Sequence, residues 1–154
     1  MKRFVQILAA GAALLAASGA AAVTVEQCDW RARADAIVEP WADYSRTFSN
    51  GKTRLALLDV IEPAAGALHI LVMSPPYDEM GGRQCKVISA SSGIGFFGVE
   101  FTALNASYNP AIGLMFTVPV QVYDGSTGMG RGAWLNFNLN QATGQIDAWL
   151  VGGE

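Results

Sequence analysis

The residues able to do chemistry in this sequence are few and widely spaced. Cys28, Cys85 and His69 are its only thiol and imidazole groups, and a zinc site, which takes three or four such ligands, would need every one of them; no metal is expected. A Cys-His nucleophile built from the same residues would leave an odd thiol. A Ser-His-Asp arrangement would also have to use His69, and the chain has no G-x-S-x-G elbow. His69 is expected instead to be a hydrogen-bonded, partly buried side chain. Three spacings imitate known motifs and fail their structural requirements. Gly93-Ile94-Gly95-Phe96-Phe97-Gly98 matches G-x-G-x-x-G, but the residues after it read as a strand, whereas a dinucleotide fingerprint must open a helix. Gly51-Lys52-Thr53 resembles the end of a phosphate-binding loop, yet Arg46 stands where that loop requires glycine. Asp78 and Glu79 supply two adjacent acids, too few for the six to eight oxygens of a calcium site. No cofactor is therefore expected. Glu100, Asp124 and Asp147 leave a carboxylate-dependent hydrolase open as an alternative.

The compartment decides how the cysteines are read. Lys2 and Arg3, an apolar run from Phe4 to Ala17, and small residues at Ala20 and Ala22 have the form of a secretory signal peptide over residues 1–22. The run is too short for a bilayer span, which needs about 20 residues. Removing that segment and its two positive charges from the 154-residue chain leaves 132 residues, with eight Lys+Arg against thirteen Asp+Glu and a net charge of −5. The expected product is a bacterial periplasmic or secreted protein, residues 23–154 forming one domain without a membrane span. An acidic chain with no basic run has no footprint for nucleic acid. In an oxidising compartment Cys28 and Cys85 have one possible partner each, so a disulfide is expected.

The elements that must position these groups are mostly strands. Trp30, Ala34, Ile37, Val38 and Trp41 recur at helical spacing after a capping Asp29, predicting one short N-terminal helix that stops near residue 38, before Pro40. Trp30 and Trp41 read as its packing anchors, with Arg31 and Arg33 on its solvated face. Beyond it the period becomes two. Asn50-Gly51 suits a type I′ hairpin turn between strands at 44–49 and 52–58. Further strands are predicted at 67–73, 84–89, 96–104, 114–123, 133–140 and 145–151. The expected fold is mainly β, a small antiparallel sandwich or barrel of about eight strands. Ala67 to Met73 is apolar on both faces and belongs in the interior. Leu114, Phe116, Val118, Val120 and Val122 alternate with polar or mixed residues, and Pro119 places that strand at an edge or a bulge.

The last hairpin carries the most informative pattern. Pairing Asn138 with Asp147 and Asn136 with Trp149 makes each face uniform in type, with Leu139 opposite Ile146 and Leu135 opposite Leu150. A one-residue slip would mix the faces. One face then displays Trp134, Asn136, Asn138, Asp147 and Trp149. Flat aromatic rings beside amides and a carboxylate can stack on a sugar ring and hydrogen-bond its hydroxyls. These five residues are the candidate binding site.

Ser91-Ser92-Gly93-Ile94-Gly95-Phe96-Phe97 loosely resembles the Ser/Gly-rich loop of the small periplasmic lysozyme inhibitors, with Phe97 where that family has Tyr. Membership would imply inhibition of a lysozyme-like enzyme. The leading expectation is a non-catalytic binding or interaction protein of the cell envelope, whose partner is an envelope protein or a glycan.

Overall fold

A computed structural model describes residues 22–152. The segment read as a leader lies outside the described residues, Ala22 excepted. The chain is mainly β, with ten strands among the described residues rather than eight: β1 Thr24–Gln27, β2 Ser45–Phe48, β3 Thr53–Asp59, β4 Leu68–Tyr77, β5 Arg83–Ser89, β6 Gly98–Val99, β7 Asn105–Asn109, β8 Gly113–Asp124, β9 Met129–Leu139 and β10 Ile146–Val151. They form two five-stranded antiparallel sheets. Sheet I has the order β1-β5-β4-β3-β2, and sheet II the order β10-β9-β8-β6, with β7 also paired to β8.

Period-two patterning drives the two sheets together. Leu55, Leu57, Ile70, Val72 and Ile88 from sheet I share one core with Phe116, Val118, Leu135, Phe137 and Leu139 from sheet II. Phe116 stacks on Phe137 at 4.8 Å and meets the edge of Phe48 at 5.0 Å, a geometry favoured by the aromatic quadrupole. Sheet I is apolar on its other face too. Ala56, Leu58, Leu71 and Val87 are covered there by Ala32, Ala36, Ile37 and the half-cystines, which explains why β4 reads as apolar throughout. The Cys28–Cys85 disulfide is present, with Cα atoms 5.3 Å apart. It fastens the covering segment at the end of the β1–β5 ladder, where the Cys28 amide also donates to the Cys85 carbonyl.

The covering segment is not the predicted helix. Two short 3-10 turns, Trp30–Ala32 and Ala34–Ala36, are separated by Arg33 in extended conformation, and the one α-helical turn among the described residues is α1, Trp41–Tyr44. Asp29 does cap, accepting from the Arg31 amide. The chain then turns back to the sheet: Ile37 bridges Leu58, and the Val38 amide donates to the Leu57 carbonyl. A continuous helix could not make those bonds. The assignment of faces inverts accordingly, with Arg31 buried and Trp30 and Trp41 exposed.

The predicted strand at 96–104 also breaks up, because this segment is the corner between sheets. The Phe96 amide and carbonyl exchange hydrogen bonds with Leu68 of sheet I, and the next amide, Phe97, donates to the Gln121 carbonyl of sheet II. A Cβ on Gly95 would lie 2.3 Å from the Leu68 carbonyl oxygen, so the crossing needs glycine there. After β6 a 3-10 turn, Phe101–Ala103, leads to β7.

That interruption accounts for Pro119. It lies neither on an outer edge nor at a bulge, since β8 pairs in unbroken register with β9 from Leu114↔Leu139 to Asp124↔Met129. Its carbonyl accepts from Glu100 on the opposite flank. Its nitrogen faces that flank as well, at the gap where β6 has ended and β7 has not begun, so no ladder bond is lost. The Asn50-Gly51 turn forms as expected, with φ of 56° and 81° and the Lys52 amide donating to the Ser49 carbonyl.

Candidate functional site

Sheet I is covered on both faces, whereas the outer face of sheet II is open. The register of its last hairpin matches the patterning: Ile146↔Leu139, Asp147↔Asn138, Ala148↔Phe137, Trp149↔Asn136 and Leu150↔Leu135. Trp134, Asn136, Asn138, Asp147 and Trp149 therefore stand on one face, with Trp134 opposite Val151 and diagonal to Trp149. Diagonal neighbours in a sheet lie about 7–8 Å apart, within reach of aromatic side chains. Trp134 is 50% exposed and Trp149 43%.

Neighbouring strands hold this face in place. Thr117 Oγ1 donates to Asn136 Oδ1 at 2.8 Å, and Asn136 Nδ2 donates to the Trp134 carbonyl at 3.4 Å. Gln145 Nε2 donates to Asp147 Oδ1 at 2.9 Å. Asn136 is thus largely a positioning group, while Asn138 and Asp147 retain polar atoms for a ligand.

The structure adds a feature that hydrophobic patterning does not register. Beside Trp134 a cleft of about 410 Å³ is cut into the sheet, lined by Gly98, Glu100, Pro119, Gln121 and Gly132. Its volume falls in the range of small-molecule sites, about 300–1,000 Å³. The register explains the hollow. Gly98, Gln121 and Gly132 form one cross-strand row, and Pro119 and Trp134 the next. Gly132 leaves an open floor beneath the Trp134 wall, while the Gln121 side chain lies over Gly98. Beyond it Phe97 stacks on Tyr123, with ring centroids 6.1 Å apart. Gly130 and Gly132 lie inside β9, where glycine marks close approach or an open surface; the predicted strand began only at 133 and left both outside it.

The other candidate groups do not assemble. Glu100 is level with Pro119 on the far flank of β8, so three strand spacings, about 14 Å, separate it from Asp147 across the sheet alone. Asp124 is five residues beyond Pro119 on β8, about 17 Å along the strand. Paired-carboxylate glycosidases hold their acids about 5–9.5 Å apart. Asp124 instead shapes its turn: hydrogen bonds from the Ser126 hydroxyl and amide hold its carboxyl below the usual range. Asp78 Oδ1 likewise closes its own loop by accepting from the Met80 and Gly82 amides. Among the described residues no three His, Cys, Asp or Glu side chains gather as a metal site.

His69 does meet a serine, at a buried place. Its Nδ1 lies 2.8 Å from Ser89 Oγ, and both residues are buried beneath the N-terminal segment. Arg31 can only donate, and does so to Ser89 Oγ at 3.2 Å. The Ser89 hydroxyl proton is then free for Nδ1, which makes His69 a neutral acceptor. Burial, followed by the nearby Arg31 charge, pushes its pKa down to about 4. Arg31 is in turn paired with Asp29 at 2.8 Å and Glu26 at 2.9 Å. This network clamps the covering segment to sheet I and offers no access to a substrate.

The glycine motif and the Ser91–Phe97 loop are the intersheet corner. Phe96 is fully buried, Phe97 is half-buried, and the Gly93 turn leads into strand rather than helix. No helix among the described residues is long and apolar enough to cross a membrane. Comparison with protein-family models, with characterised proteins and with solved structures finds no match to this chain.

Proposed function

We propose that this chain is an exported binding protein of the cell envelope, periplasmic or secreted. In this reading residues 23–154 form one sandwich-like domain that uses the open face of sheet II to hold a glycan. The observation that carries the reading is the exposure of tryptophan. All four tryptophans of the chain are exposed, at 61% for Trp30, 54% for Trp41, 50% for Trp134 and 43% for Trp149, while phenylalanine fills the core. Tryptophan left in water is a large unburied apolar area, and on a sheet face beside Asn138 and Asp147 it has the chemistry that stacks on sugar C–H faces. The disulfide supports an extracytoplasmic setting.

The test is retention on a glycan array and on isolated peptidoglycan. Wild-type protein is expected to bind, with roughly tenfold weaker retention for Trp134→Ala and for Trp149→Ala, about 1.4 kcal/mol each. Retention of both variants at the wild-type level, or no binding by the wild type, rejects the reading.

A further inference from the structure

We propose that the cleft beside Trp134 is a subsite for the protonated amine of a hexosamine. This inference rests on the glycan reading of the sheet II face and names the sugar class that the face prefers. The cleft brings together a flat aromatic wall, an amide and one charge. Trp134 is half exposed along one side, Gln121 stands at the other, and Glu100 is the one charged residue of the lining among the described residues. Among the described residues Glu100 has no ion-pair partner, and no Lys or Arg lines the cleft. The hollow thus presents an uncompensated carboxylate beside a π face on an acidic protein. An anionic ligand is repelled there. A compact cation is drawn by both groups, through a charge-assisted hydrogen bond to Glu100 and cation–π attraction to Trp134. A hexosamine satisfies the whole arrangement, because its ring can stack on Trp134 while the 2-amino group reaches Glu100 and hydroxyls reach Gln121.

The floor supplies a clean variant. A Cβ on Gly132 would meet no atom within 4 Å, so a side chain can enter the hollow there, and Gly132→Val narrows it, with an unchanged thermal melt as the check on the fold. Glu100→Gln keeps the shape of an exposed side chain and removes its charge.

The experiment is calorimetric titration of the purified protein with three hexamers: glucosamine, N-acetylglucosamine and β-1,4-linked glucose. The glucosamine hexamer is expected to bind about tenfold tighter than either neutral one. Glu100→Gln should remove that margin while leaving neutral binding in place, and Gly132→Val should weaken the glucosamine hexamer about tenfold. Equal affinity for all three hexamers, or a preference that survives Glu100→Gln, overturns the amine subsite and leaves the glycan reading standing. Failure of all three to bind the folded wild type overturns both.

Discussion

Acidification should loosen the clamp under the N-terminal segment, and His69 sets the pH at which it does so. Its pKa is pushed from an ordinary 6.5 to about 4 by burial and by Arg31. Between those two values the unfolded chain binds a proton that the folded chain refuses, so stability rises with pH across the window. The contribution is fully present above pH 6.5 and is lost as pH falls towards 4. A shift of that size corresponds to about 3 kcal/mol. With a urea slope of about 2 kcal/mol/M, the denaturation midpoint should drop by roughly 1.5 M. Asp29 does not blur the window. Hydrogen bonds from the Arg31 side chain lower its pKa from 3.8, so its own loss comes at more acid pH. The control is His69→Asn, whose Oδ1 can still accept from Ser89 but cannot be protonated in this range. Urea midpoints measured from pH 7.5 to 4.5 should fall steeply for the wild type and stay nearly level for the variant. Parallel curves would show that His69 is not the linked group.

Other outcomes follow from the same contacts. Replacing both cysteines with serine opens a loop spanning 57 positions of sequence and should cost up to about 4 kcal/mol, read from urea midpoints at neutral pH; native wild-type protein should show no thiol titre before reduction. Phe137→Ala removes a ring stacked on Phe116 in the centre of the core and should destabilise by about 3–5 kcal/mol in thermal or urea melts. Gly95→Ala drives a Cβ against the Leu68 carbonyl and His69 Nε2, an overpacking of about 1–3 kcal/mol that calorimetry would report as a lowered Tm.

What could be read in the sequence follows from which forces were local. The β9–β10 register was legible because each face of the hairpin is uniform in type and a slip would mix them. The interior position of β4 was legible because both of its faces are apolar, although the cover on its outer face could not be named. The N-terminal helix failed because helical spacing is only one way to bring apolar residues together. Ala36 reaches sheet I from a 3-10 turn and Ile37 through extended backbone, and Arg31 goes inside because Asp29, Glu26 and Ser89 satisfy it there. β7, with its sequence Asn105-Ala106-Ser107-Tyr108-Asn109, offers only Ala106 and Tyr108 as an apolar alternation, too short a signal to read, since its pairing to β8 rests on backbone bonds and leaves most of its side chains in water. The five candidate residues were placed together by pattern alone. The cleft beside them was not foreseen, because it is made by what Gly132 lacks and by a chain crossing that no local signal records.

The central claim is that the open face of sheet II, and not exposed tryptophan in general, holds a glycan. Calorimetric titration of peptidoglycan fragments into wild type, Trp134→Ala/Trp149→Ala and Trp30→Ala/Trp41→Ala tests it most directly. The second pair is more exposed than the first but lies on the N-terminal segment and α1. The account predicts loss of binding by more than tenfold in the first double variant, the two rings being diagonal neighbours whose losses do not add as independent sites would, and wild-type affinity in the second. Equal loss in both, or none in the first, would contradict it.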